Sequence, residues 1–230
     1  FIPDTGVDHR ILKFNPLFLV HEFSHCVKLL WTDKLGQISL AVTTLFWGAG
    51  ATLQFIVLKW AEAALNFPLN QAAQLQGVVA LGIAIGAVLA AKIVSLRQSV
   101  KVIPLGILMG LVVMIMTLVS NLWIAVGLLI LIGGLAGFFV VPMNALLQHR
   151  GHILMGAGHC IAVQNFNENL SILAMLLLYA LLIWLDVHIY IVIILFGSFV
   201  SISMTIIRKW HLTNQSKEDS LHLIGMRKTH

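Results

Sequence analysis

Two groups of residues in this 230-residue chain carry chemistry in their spacing. The first is His21-Glu22-x-x-His25, inside the stretch VHEFSHCVKLLW. On a helix, positions i and i+4 share a face, so two imidazoles can grip a zinc ion while the glutamate acts as general base of a peptidase. The second is QNFNENLS, which sets Gln164, Asn165, Asn167, Glu168, Asn169 and Ser171 within about two helical turns. At about 100° per residue, Gln164, Glu168 and Ser171 form one stripe, continued by Ala157 and Ile161, with Asn165 and Asn169 on its flank.

The elements that must position these groups follow from composition. Hydrophobic residues make up 59% of the chain and charged residues 10%, and the mean hydropathy is +0.96. A water-facing surface of ordinary charge density cannot be assembled from such a chain, which reads as an all-α integral membrane protein. The formal charge of +5 comes from short Lys and Arg clusters at the ends of apolar runs, where they act as topology signals, so nucleic acid is not expected as a partner.

Crossing about 30 Å of hydrocarbon takes roughly 20 helical residues. Six stretches are long enough, at approximately 38–60, 75–96, 102–120, 122–147, 156–185 and 187–207. Helix is the required state, because a lipid-exposed backbone must satisfy its own hydrogen bonds. Lys28, Lys34, Lys92, Arg97, Lys101, Arg150, Arg208 and Lys209 all fall on one side of this six-helix bundle, which puts both termini in the cytoplasm. Cys26 and Cys160 then lie near the reducing side, and no disulfide is expected. The residues divide into a stretch at 1–35 with an amphipathic surface helix, a transmembrane bundle at 36–210 and a cytoplasmic tail at 211–230. The start at FIPDTG reads as cut from something longer.

Several amides and a carboxylate at membrane depth cost several kilocalories unless they line water or meet partners, so the stripe on the fifth span is a functional hypothesis. Gln54 on the first span and Asn144 on the fourth are its natural companions. The plainer reading makes them interhelical glue, with Asn144 capping carbonyls released by Pro142. The third and sixth spans have no strongly polar residue in their middles and are expected to face lipid. Gly82/Gly86, Gly106/Gly110 and Gly133/Gly137 read as close-packing pairs. Trp31, Trp60, Trp123, Trp184, Tyr190 and Trp210 read as interface anchors.

The zinc motif weighs less than its spelling suggests. A zinc site needs a third ligand and a closed pocket. Instead Leu19, Phe23, Cys26, Val27 and Leu30 share one face of the segment and His21, His25 and Lys28 another, the pattern of a helix lying on the cytoplasmic surface. Neither a metal nor another cofactor is expected. An intramembrane metalloprotease and a half-size membrane scaffold are the alternative readings.

A six-helix unit with cytoplasmic ends resembles one half of a major facilitator fold. SLAVTTLFWGAGATLQF, GGLAGFFVVPMNALLQHRG and GAGHCIAVQNFNEN further resemble segments of the bacterial lysophospholipid transporter family, over nearly all of 36–208. The resemblance implies the C-terminal half of an inner-membrane transporter that lacks its N-terminal six-helix bundle. It implies movement of lysophosphatidylethanolamine-type lipids from the outer to the inner leaflet, with a cytoplasmic acyltransferase as partner. Gln54, Asn144, Gln164, Asn165, Glu168 and Asn169 then line the substrate path. The family usually has an arginine where this chain has Gln54, which changes the headgroup clamp or the gate between bundles.

Overall fold

The computed structural model describes residues 16–217. Among them are seven α-helices and no strand: α1 (Pro16–Thr32), α2 (Gly36–Leu65), α3 (Leu69–Ile93), α4 (Ile103–Ile115), α5 (Leu122–Met155), α6 (Ala157–Trp184) and α7 (Ile189–Lys217). Short 3-10 turns, Leu96–Val102 and Met116–Leu118, extend α4 at both ends into one span. Among the described residues six helices, α2 to α7, are long and apolar enough to cross a membrane. The chain therefore is a six-helix membrane bundle with one additional helix at its start.

Helix ends fall where local chemistry requires them. α2 stops at Asn66, which takes a left-handed φ of 54° just before Pro68 opens α3. Asn121 caps α5 by accepting the amide N–H of Trp123 at 2.9 Å. Gly156, at φ 85°, separates α5 from α6. The expected spans are reproduced, but α5 runs eight residues past the expected end of its span (155 against 147), and α7 carries the helix through 217 into what was expected as tail.

Since lipid is as apolar as leucine, close packing and polar contacts, not hydrophobic transfer, must join the helices. α3 and α5 meet backbone to backbone: a Cβ on Gly86 would overlap the Gly134 carbonyl, and one on Gly137 would overlap that of Ile83. Gly110 of α4 is held the same way against Gly197 and Ser201 of α7, so the expected role of these glycines stands. Burial within the bundle is uneven among the spans. Half of the third span and 44% of the sixth are buried, against 17% for α3 and 6% for α6. α4 and α7 cover each other, whereas α3 and α6 each leave a long face open.

The apolar face of α1 is turned onto the bundle and not into lipid. Cys26 and Leu30 form a small second core with Leu40, Leu147 and Val163, from α2, α5 and α6. Trp31 stacks on Trp210 at 6.4 Å. Trp60, expected as an interface anchor, is fully buried, and its indole N–H donates to the Met116 carbonyl at 2.9 Å. Trp123 and Trp184 are well exposed, as anchors must be.

Candidate functional site

The polar stripe of α6 divides into a buried part and an open part. Gln164 and Glu168, one turn apart, are each 7% exposed. The Gln164 amide nitrogen donates to the Glu168 carboxylate at 2.8 Å and to the Asn144 side-chain oxygen of α5 at 3.1 Å. Both amide protons are thereby used. Thr43 of α2 adds its hydroxyl beside Glu168. Three helices thus converge on one carboxylate at about 17 Å along α6 from its start at Ala157, near the middle of the span. Close approach brings α2 here: Gly48 lies so near α6 that a Cβ would overlap the Ser171 hydroxyl.

Asn165 and Asn169 sit beside this cluster on the exposed face of α6. The Asn169 amide donates to the Asn165 carbonyl at 2.8 Å, a bond within the helix that leaves its carbonyl oxygen facing outward. Asn167 likewise bonds Val163 within α6. Asn144 pairs with the Gln164 amide rather than with carbonyls released at Pro142.

Gln54 stands apart from the group. It is eleven residues beyond Thr43 on α2, about 16 Å along the axis. It lines a cleft of about 640 Å3 between α2 and α3, floored by residues of α4, α5 and α7. Its backbone carbonyl accepts the Gln76 amide of α3 at 2.7 Å. The walls around this pair are apolar, among them Phe46, Trp47, Val113 and Phe196. Of the expected path residues, then, three form one hydrogen-bonded cluster, two adjoin it on an open face, and Gln54 belongs to a different cavity.

Sequence reasoning passed over Thr43, Gln76 and Asp33. Asp33, just before α2, forms a buried ion pair with Arg150 at the end of α5, the Nε–Oδ1 distance being 3.1 Å. Arg150 had been read only as a topology signal. A lone charged residue near the end of an apolar run gives no hint of its partner 117 positions away.

His21 and His25 lie on the exposed side of α1. Among the described residues no group of three His, Cys, Asp or Glu side chains is arranged to hold a metal. Glu22 turns away from both and faces His159 at 3.5 Å. The two cysteines are buried and unpaired. Burial, and secondarily the nearby charge of Glu22, raises the Cys26 thiol above its ordinary pKa.

Fold and site define a polytopic α-helical membrane protein with a polar cluster at membrane depth and an amphiphilic cleft beside it. Within that class the chain is a homologue of curated proteins named Lysophospholipid transporter LplT. It is 43% identical to the one from Pectobacterium carotovorum subsp. carotovorum (strain PC1) over 189 residues, 82% of this chain and 46% of that protein. It is 40% identical to those of Escherichia coli O1:K1 / APEC and O45:K1 (strain S88 / ExPEC) over 211 residues, 91% of this chain and 53% of theirs. The chain spans about half the length of the curated relatives it matches. No family model and no solved structure matches it.

Proposed function

We propose that this chain is the C-terminal half of a major facilitator transporter. It moves lysophosphatidylethanolamine-type lipids from the outer to the inner leaflet of the bacterial inner membrane, where a cytoplasmic acyltransferase reacylates them. It is not an enzyme itself. The observation that carries the reading is the likeness to lysophospholipid transporters over 82–91% of the chain. The geometry agrees with it in two respects. A carboxylate held by amides at mid-membrane is costly unless it meets a polar passage or cargo. The open faces of α3 and α6 are the ones a second six-helix bundle would cover, and α6 presents Asn165 and Asn169 to that side. On this reading residues 1–35 link the two bundles, both termini are cytoplasmic, and Glu168, Gln164 and Asn144 form the wall against which the headgroup passes.

Spheroplasts expressing the protein from its native locus should take up labelled lysophosphatidylethanolamine, and Glu168→Ala should abolish uptake with membrane levels unchanged. Equal uptake in the two strains removes Glu168 from the path. No uptake above a deletion strain removes the transport reading.

A further inference from the structure

The cleft between α2 and α3 is separate from the carboxylate cluster and has a chemistry of its own. α3 is fixed to α5 by the glycine contacts, and it leans away from α2 to leave about 640 Å3 of open volume. That lies within the range of about 300–1,000 Å3 typical of small-ligand sites. The lining is apolar over most of its length, and its only amide side chains, Gln54 and Gln76, sit together toward one end. From Gln54 the cleft continues about 12 Å along α2 to Phe46. A long apolar slot with a polar end is complementary to an amphiphile with one tail.

Two glycines define its free space. Gly50 on α2 and Gly77 on α3 both line the cleft, and a Cβ on either would meet nothing within 4 Å. This is the opposite of Gly82, Gly86 and Gly137, where backbone contact excludes any side chain. Glycine is a poor interior helix residue, and at Gly50 and Gly77 packing among the described residues supplies no reason for it.

Resting on the transport reading above, we infer that this cleft receives the single acyl chain of the lysophospholipid, with Gln54 and Gln76 meeting its glycerol end. Gly50 and Gly77 set how much chain is accommodated. Bilayer hydrocarbon is as apolar as the cleft, so the chain gains no transfer energy on entry. The cleft acts through capacity, by keeping the tail out of a polar passage while the headgroup crosses.

Gly50→Leu/Gly77→Leu adds bulk to the slot at two positions where the Cβ meets no neighbour. Overpacking arguments predict uptake of hexadecanoyl lysophosphatidylethanolamine reduced roughly fivefold or more, with the octanoyl form kept within about twofold of wild type. Gly50→Ala/Gly77→Ala should transport both. An equal fall for both chain lengths, or no fall for either, overturns the inference. A hexadecanoyl lysophosphatidylethanolamine with a diazirine at the chain terminus decides it independently of transport. Adducts on the peptides bearing Trp47 or Met109, lost in the double Leu variant, support the site even if uptake fails. Adducts elsewhere, or adducts removed by excess diacyl phosphatidylethanolamine as readily as by lysolipid, reject it, the latter as an ordinary bilayer-lipid site.

Discussion

Arg150, at the end of α5, grips Asp33 through two guanidinium nitrogens, with the side chains only 5% and 9% exposed. Asp33 in turn accepts the Gly36 amide at 2.7 Å at the start of α2. The pair therefore locks the entry of the first span to the exit of the fourth. Removing one member of a buried pair leaves the other charge stranded, at about 3–5 kcal/mol. Asp33→Ala or Arg150→Ala should each lower the thermal midpoint of the detergent-solubilised protein markedly. Asp33→Ala/Arg150→Ala should cost less than the sum of the two, and a strictly additive double variant would mean the charges are not coupled.

Gln164 donates to two acceptors at once, so Glu168 and Gln164 should act as a unit. Gln164→Ala and Glu168→Ala should each abolish lysolipid uptake, and combining them should add little to either loss. Glu168→Gln keeps the shape but turns an acceptor into a group with donors facing Gln164, and should retain partial uptake at most. Initial rates in spheroplasts distinguish these cases.

Glycines that look alike in the sequence should respond differently to the same change. Gly86→Leu and Gly137→Leu drive side chains into backbone and should reduce folded protein in the membrane severely, well beyond the roughly 1–3 kcal/mol usual for overpacking. Gly50→Leu and Gly77→Leu should accumulate normally. Quantitative membrane immunoblots and gel-filtration profiles read this out.

Trp60 gives the Met116 carbonyl a second donor, beside the Val119 amide at 3.2 Å, where α4 gives way to its terminal turn. Trp60→Phe keeps a large apolar ring but removes one of the two hydrogen bonds to the Met116 carbonyl, at about 0.5–1.5 kcal/mol. A lowered thermal midpoint with wild-type oligomeric behaviour is expected.

The Cys26 thiol is raised by burial and then by the carboxylate of Glu22. The thiolate is the reactive form, so alkylation at pH 8 should be slower than for a free cysteine and should rise only at higher pH. Glu22→Gln removes the second cause and should move the rate-against-pH profile to lower pH, though not to that of an exposed thiol. Mass spectrometry of iodoacetamide-treated protein, resolved by pH, provides the check.

The spans were legible because twenty apolar residues in a row have few other fates, and their six stretches correspond to α2 through α7. The glycine pairs were legible for a similar reason: small residues one turn apart leave a groove that a neighbouring helix fills. The α6 amides identified Gln164, Glu168 and Asn144 as partners because few polar groups exist at that depth. What hid was tertiary. An amphipathic segment looks the same whether its apolar face meets lipid or a protein surface, so the seating of α1 on Leu40, Leu147 and Val163 was not visible. The mutual packing of α4 and α7 was not visible either, because apolar side chains packed on each other cannot be told by type from side chains in lipid. Gln76 was obscured by its place near the polar start of α3, where a glutamine needs no explanation.

The backbone seam between α3 and α5 has a mechanical consequence. Two helices joined through carbonyls and Cα atoms, with no flexible side chains in between, slide or splay only by breaking the whole seam, so they behave as one plank. α2 has no comparable seam with α3; beyond Ala72 and Leu75 near their connection, the tie between them among the described residues is the Gln76 amide. Any breathing of the slot is therefore a tilt of α2 against a stationary wall, pivoting at the short Asn66–Pro68 connection with Gln76 as the tether beside it.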